Sequence, residues 1–289
     1  MLGAMTHPIR LFVGRFGRLQ LLELSAEETP ATSPEPQILA KIDGADVPFQ
    51  VGSARVELTR ENLVFANPGE SSQALPRLER IPTQLLCFQV SAAWLGEHFP
   101  AAVGRAGQPF AAPSEPVTPR IRQLADTLAI EALNDQFLSP ERLEFILLEM
   151  LLAVGETYLA RRRTGARFWR GSPLADSRIR RALALLRARP SKLLNMDELA
   201  NQVGLSRSRF YDLFHTSTGR SPRSYLDLLC VASAIAKLGS GEAKIGEVSA
   251  QLGFSAQSNF TRFFQNQVGI PPSEYRAAMR RSPESEAQD

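Results

Sequence analysis

Two stretches of this chain repeat one another, and that duplication constrains the fold more than any other feature. Met196-Asp-Glu-Leu-Ala-Asn-Gln-Val-Gly-Leu-Ser206 lies over Ile245-Gly-Glu-Val-Ser-Ala-Gln-Leu-Gly-Phe-Ser255 at an offset of 49 residues. Past the turn the offset becomes 50, and Phe210, Leu213, Phe214, Gly219, Pro222 and Tyr225 meet Phe260, Phe263, Phe264, Gly269, Pro272 and Tyr275. Glycine, proline and apolar positions that recur together over such a span mark two copies of one helix-turn-helix unit.

The second copy reads physically as a tight turn, a helix, another glycine turn and a new helix opened by proline. Gly253 supplies the positive φ that a sharp corner needs, and Ser255 is expected to cap the following helix. Phe260, Phe263 and Phe264 fall at i, i+3 and i+4 and so share one buried face. Gln257, Ser258, Asn259, Thr261 and Arg262 remain for the outer side, and amide, hydroxyl and guanidinium groups on one short helix are the groups that read base edges. In the first copy Asn195 is the expected cap with Glu198 at the capping-box position. Ser206 caps the next helix, which leaves Arg207, Ser208, Arg209, Tyr211 and Asp212 facing out. Asp212 either accepts from a cytosine amine or pairs with a neighbouring arginine, because phosphates repel it.

Two units of this spacing, the second ending in Gly269-Ile-Pro-Pro-Ser-Glu-Tyr-Arg276, resemble the DNA-binding domain of AraC/XylS-type transcription regulators over about residues 173–281. The resemblance implies that the ten outward residues contact double-stranded DNA. It also implies a small-molecule effector at the N-terminal half, a homodimer, and activation through RNA polymerase. A helix of about 25 Å opened by Ser221-Pro222 would hold the two recognition helices for successive major grooves, about 34 Å apart.

Charge supports a nucleic-acid partner. The formal net charge of +3 conceals −7 over residues 1–160, +13 over 161–281 and −3 over the tail 282–289. A +13 segment rich in arginine is the footprint of a phosphate-backbone binder. No run of about 18 apolar residues is present, so no membrane helix is expected, and the start lacks the features of a signal peptide. Cys87 and Cys230 fit a reducing cytoplasm as buried apolar groups.

From Ile9 to about Gln89 short apolar runs alternate with turn residues, the pattern of a β-sandwich or barrel. The resemblance implies a cupin-like barrel here, with Arg55–Gly69 as its middle strands. Catalytic cupins hold a metal through clustered histidines. This chain has 3 histidines, His7, His98 and His215, scattered and without an H-x-H spacing. No metal, no cofactor and no enzymatic activity are therefore expected. Two helices follow, from Thr118-Pro119 to Leu133 and from Ser139-Pro140 to Leu159. The second is so apolar that it must be covered on two sides. One covering layer is its own domain; the other is either more of that domain or a second subunit, which the resemblance favours. Arg161–Gly171 reads as a basic linker, and Ser172-Pro173 as the start of the next helix.

The expected protein is thus α+β. Residues 1–160 form a cupin-like sensor and dimerisation domain with two helices, 161–172 a linker, 173–281 a double helix-turn-helix domain, and 282–289 a disordered tail. Its expected role is a cytoplasmic, effector-controlled regulator with a mostly apolar effector pocket. The rival readings are a cupin-like enzyme with an appended DNA-binding domain and an effector-independent architectural DNA protein.

Overall fold

A computed structural model describes residues 6–24, 31–76, 81–103, 108–133, 139–159, 169–239 and 243–281. Residues 25–30 of the Pro- and Glu-rich tract 25–36, which the sequence marks as a loop, lie outside these, as do most of the basic linker and the tail. The chain divides into two compact units. One comprises residues 1–133 and 146–172; the other comprises 134–145 and 173–289. Residues 139–145, read from the sequence as part of the N-terminal domain, thus pack with the C-terminal helices.

The first unit is built on antiparallel strands. Strands β1 (Thr6–Gly14), β2 (Gly17–Leu24), β4 (Gln37–Gly44), β7 (Asn62–Ala66), β9 (Thr83–Val90) and β10 (Ser114–Pro116) form a six-stranded sheet in the order β1-β2-β9-β4-β7-β10. Strands β3 (Ala31–Thr32), β5 (Val47–Val51), β6 (Ala54–Leu58) and β8 (Ser71–Ala74) form a second sheet, ordered β3-β8-β5-β6. Successive side chains on a strand point to opposite faces. Leu22, Leu24, Leu39, Val64, Leu85 and Cys87 of the larger sheet therefore share one core with Val47, Phe49, Val51, Leu58 and Ala74 of the smaller. β4 is buried on both faces, because α3 (Pro119–Leu133) covers its other side.

Helices α1 (Ala92–His98) and α2 (Pro100–Val103) follow β9, ahead of the two longer helices expected farther along the chain. Helix α4 (Pro140–Val154) opens as expected after Ser139, whose Oγ accepts from the Arg142 N–H. It does not run on as an α-helix to Leu159 but ends in a π-helical turn, Gly155–Leu159. A close approach marks this turn. A Cβ at residue 155 would lie 2.2 Å from the Phe99 ring, so only glycine fits, while the Tyr158 hydroxyl donates to the Pro116 carbonyl at 2.6 Å.

The apolar flank expected to meet a second subunit is covered within the single chain. Phe145, Leu152 and Leu159 are each no more than 3% exposed, and Leu148 alone is partly open. The argument from an uncovered α4 to a dimer interface therefore fails.

The second unit is helical: α5 (Ser177–Ala188), α6 (Met196–Gln202), α7 (Arg207–Thr218), α8 (Pro222–Gly239), α9 (Ile245–Gln251), α10 (Gln257–Val268) and α11 (Pro272–Arg281). Helix α5 starts later than Ser172-Pro173, because the cap is Asp176, whose carboxylate accepts from the Arg178 N–H. The Arg178 side chain beside it holds that carboxyl down to about 2. Among the described residues no helix is long and apolar enough to cross a membrane.

Candidate nucleic-acid interface

The two helix-turn-helix units are superposable in their local chemistry. Helices α6 and α9 have 7 residues each, and α7 and α10 have 12 each. The turns between them pivot on Gly204 (φ 73°) and Gly253 (φ 75°). A side chain at residue 253 would be strained in φ, and its Cβ would also sit 2.2 Å from Ser191 Oγ. Both recognition helices end on a left-handed glycine, Gly219 and Gly269.

Inside each unit an aromatic stack fixes the recognition helix. Phe210 and Phe214 lie 5.5 Å apart, and Phe214 meets Tyr225 at 5.5 Å. Phe260 and Phe264 lie 5.8 Å apart, and Phe264 meets Tyr275 at 5.5 Å. All four phenylalanines are fully buried. Leu213 and Phe263, expected on the buried face, are only half covered. Phe263 lies against Phe254 and beneath the Lys192 ammonium, 4.4 Å from its ring centroid.

Burial of those stacks leaves one face of each recognition helix to solvent. Arg207, Ser208, Arg209 and Asp212 are exposed on α7, with Tyr211 half-buried beside them. On α10, Gln257, Ser258, Asn259 and Arg262 are exposed and Thr261 is half-buried. The ten residues singled out from sequence thus form two outward faces, five on each helix.

Their local partners differ. Arg207 pairs with Asp197 of α6 at 2.9 Å and lies over the Tyr211 ring. Asp212 forms no ion pair among the described residues, so the neighbouring-arginine option is not the one the free chain adopts. Arg262 occupies the equivalent position of the second unit and is likewise unpaired among the described residues. Asn259 Nδ2 donates to Ser255 Oγ at 3.2 Å.

Ser255 is not the cap of α10. The cap residue is Ala256, and no side chain caps that helix. The one-residue insertion that changes the repeat offset moves the cap position from Ser255 to Ala256, whereas Ser206 Oγ in the first unit accepts from the Arg209 N–H.

Between the units runs α8, whose 18 residues span about 27 Å. Leu228, Leu229, Val231, Ala232 and Ile235 on it are buried. Cys230 is also buried, which pushes its thiol up to about 12.

The first unit holds a cavity of about 810 Å³ at one end of its sheets. Arg15, Arg18, Gln20, Ser33, Glu35 and Gln89 are among its lining residues. This lining is more polar than that expected of an effector pocket. Along β2 the residues facing the other sheet run Arg18, Gln20, Leu22, Leu24, so the apolar core fills one end and the polar side chains line the other. Among the described residues no group of three metal-ligating side chains comes together.

A family profile described as "Helix-turn-helix domain" matches residues 199–278. Over 95 residues the chain is 30% identical to the HTH-type transcriptional regulator AlkR of Acinetobacter baylyi, across 33% of this chain and 31% of that protein. Over 133 residues it is 27% identical to a Streptomyces lividans protein described as an AraC-like transcription regulator, across 46% of this chain and 43% of that protein. Matches to the first four curated relatives span 31–44% of their length. Among solved structures, the DNA-binding domain of AdpA in complex with a target DNA is similar at 27% identity, over 38% of this chain and 99% of that one, with a TM-score of 0.35. Residues 199–278 are therefore a helix-turn-helix domain, in a C-terminal part that is similar to AraC-like transcription regulators.

Proposed function

We propose that the protein is a transcription regulator that binds double-stranded DNA through both recognition helices. The observation that carries this reading is the pair of equivalent scaffolds, each presenting an outward face of polar and cationic side chains, within a segment of formal charge +13. In this reading Gln257 and Arg262 contact base edges, with Ser258, Asn259 and Thr261 beside them. Arg207 and Arg209 contact phosphates, flanked by Ser208, Tyr211 and Asp212. Arginine suits both tasks, since its planar fork pairs bidentately with guanine or with phosphate. The chain acts by binding, not by catalysis.

The polar cavity in the first unit is the proposed effector site. Its guanidinium, amide and hydroxyl groups fit a small hydrogen-bonding molecule, and a ligand shifts the DNA-binding state only through its differential affinity for two arrangements. The cupin-like description of the sheets, a homodimer, an activating role through RNA polymerase and a cytoplasmic location rest on the family resemblance.

The test is selection of duplexes from a random library by the full chain, followed by salt titration of the enriched sequences. Specific enrichment with log affinity falling linearly in log salt is expected. Failure to enrich any sequence at low salt overturns the reading.

A further inference from the structure

One short segment touches the ends of both recognition helices, and no DNA-facing residue belongs to it. It is the first turn and a half of α4, residues 139–145, which the chain's division places in the second unit. Three of its side chains act in different directions. Glu141 pairs with Arg220, just past the left-handed cap of α7, at 2.6 Å. Arg142, only 2% exposed, donates from Nη1 to the Gln267 carbonyl at 2.6 Å. Phe145 meets Tyr225 edge-on at 5.0 Å, and Tyr225 in turn packs on Phe214 of α7.

Each contact has a physical reason to be stabilising. Gln267 is the penultimate residue of α10, so its carbonyl is one of the four that lack an intrahelical partner. A guanidinium there satisfies that oxygen and sits at the negative end of the helix dipole. The Phe145–Tyr225–Phe214 series continues the aromatic stack that fixes α7. Helix α8 already joins the two units along one side, and residues 139–145 join them a second time through side chains far apart in sequence.

We propose that Glu141, Arg142 and Phe145 form a clamp that fixes the relative placement of α7 and α10, and so the spacing of the two DNA segments read together. These are positioning residues, since none faces the DNA. From Ile146 onward the same helix belongs to the first unit. The clamp therefore lies on the chain between the effector cavity and the recognition helices. This inference rests on the DNA-binding reading above.

The experiment uses the full chain and duplexes that the unaltered protein enriches from a random library, in three versions: the selected site, the site with one base pair inserted between its two segments, and the site with one segment scrambled. For Arg142→Ala the preference for the selected spacing over the inserted one should fall about tenfold, while binding to the one-segment duplex stays within about twofold. Arg142→Lys keeps a cation at the carbonyl and should restore most of the preference.

Glu141 is exposed, so Glu141→Arg tests the same idea without disturbing the core. It should weaken spacing preference, and the swapped pair Glu141→Arg with Arg220→Glu should recover it. In the absence of DNA, amide exchange over the last turn of α10 should quicken in Arg142→Ala. Equal loss on all three duplexes, or an unchanged spacing preference with unchanged exchange, overturns the clamp. Absence of any enriched duplex for the unaltered protein instead overturns the DNA-binding reading itself.

Discussion

The first helix-turn-helix unit and the second share a scaffold but not a surface. Helix lengths, turn glycines and buried aromatics coincide, down to Tyr225 and Tyr275, each 1% exposed. The outward faces diverge at every position but one, Ser208 and Ser258. Asp212 stands where Arg262 does, and Arg207, held by Asp197, stands where Gln257 does. The packing code and the reading code thus occupy different residues of the same twelve-residue helix. Burial permits little variation in the first, and solvent permits a great deal in the second. The first unit's charges are partly engaged with one another; Arg262 of the second unit has no ion-pair partner among the described residues.

If the scaffolds are equivalent, equal damage should cost equal stability. Phe210→Ala and Phe260→Ala each remove a fully buried ring, and each should destabilise its unit by about 3–5 kcal/mol. Chemical denaturation of the full chain, followed by helical ellipticity, measures both. A loss at one site less than half that at the other would break the equivalence, because one core would then be able to collapse around the void.

If the surfaces differ as described, the two arginines should behave differently. Arg262→Ala should cost about 1–3 kcal/mol on a selected duplex and much less on a scrambled one. Arg207→Ala should weaken both duplexes alike, and less, because the free chain already spends this side chain on Asp197. Fluorescence anisotropy on the two duplexes decides it; a sequence-dependent loss at Arg207 with a uniform one at Arg262 would invert the assignment.

Much of this comparison was legible in the sequence, and the parts that were not share a cause. Gly253, Gly269, Pro272 and the phenylalanine spacing act locally, so their roles could be read from neighbours in the chain. The ten outward residues followed by subtraction from the buried ones. The clamp could not be read, because Arg142 and Gln267 are 125 residues apart and neither carries a local signature of the other. The polar lining of the cavity was hidden for a similar reason. Arg18 and Gln20 alternate with Leu19 and Leu21, but which set faces the other sheet depends on strand pairings formed across the whole unit. The need for glycine at residue 155 likewise depends on Phe99, which no periodicity within α4 reveals.

A smaller effect concerns the mismatched position itself. Asp212 is exposed on the outward face of α7 and places a negative charge beside the proposed DNA path. Asp212→Asn should strengthen binding to all duplexes modestly, and Asp212→Arg, which copies the second unit, should steepen the slope of log affinity against log salt by about one. Salt titrations of both variants test this. A selective loss on the enriched duplex would instead identify Asp212 as a base reader that accepts from cytosine.

The smallest effect tests whether the one-residue insertion in the second turn carries a cost. In the first unit Ser206 caps α7, with Oγ 3.4 Å from the Arg209 nitrogen. In the second, Ala256 occupies the cap position in an extended conformation, φ −146° and ψ 148°, with no side chain to accept from the first turn of α10. That backbone already suits a capping side chain, so Ala256→Ser needs no rearrangement of the turn. It should stabilise the second unit by about 1 kcal/mol, and Ser206→Ala should destabilise the first by a similar amount. Ser255 does not substitute for a cap, because its hydroxyl accepts from the Asn259 side chain and not from a backbone N–H. Denaturation midpoints of the two variants, read against the unaltered chain, give the comparison directly. If Ala256→Ser brings no gain while Ser206→Ala brings the expected loss, the orphan donors of α10 are already satisfied by solvent, and the two turns differ in hydration as well as in length.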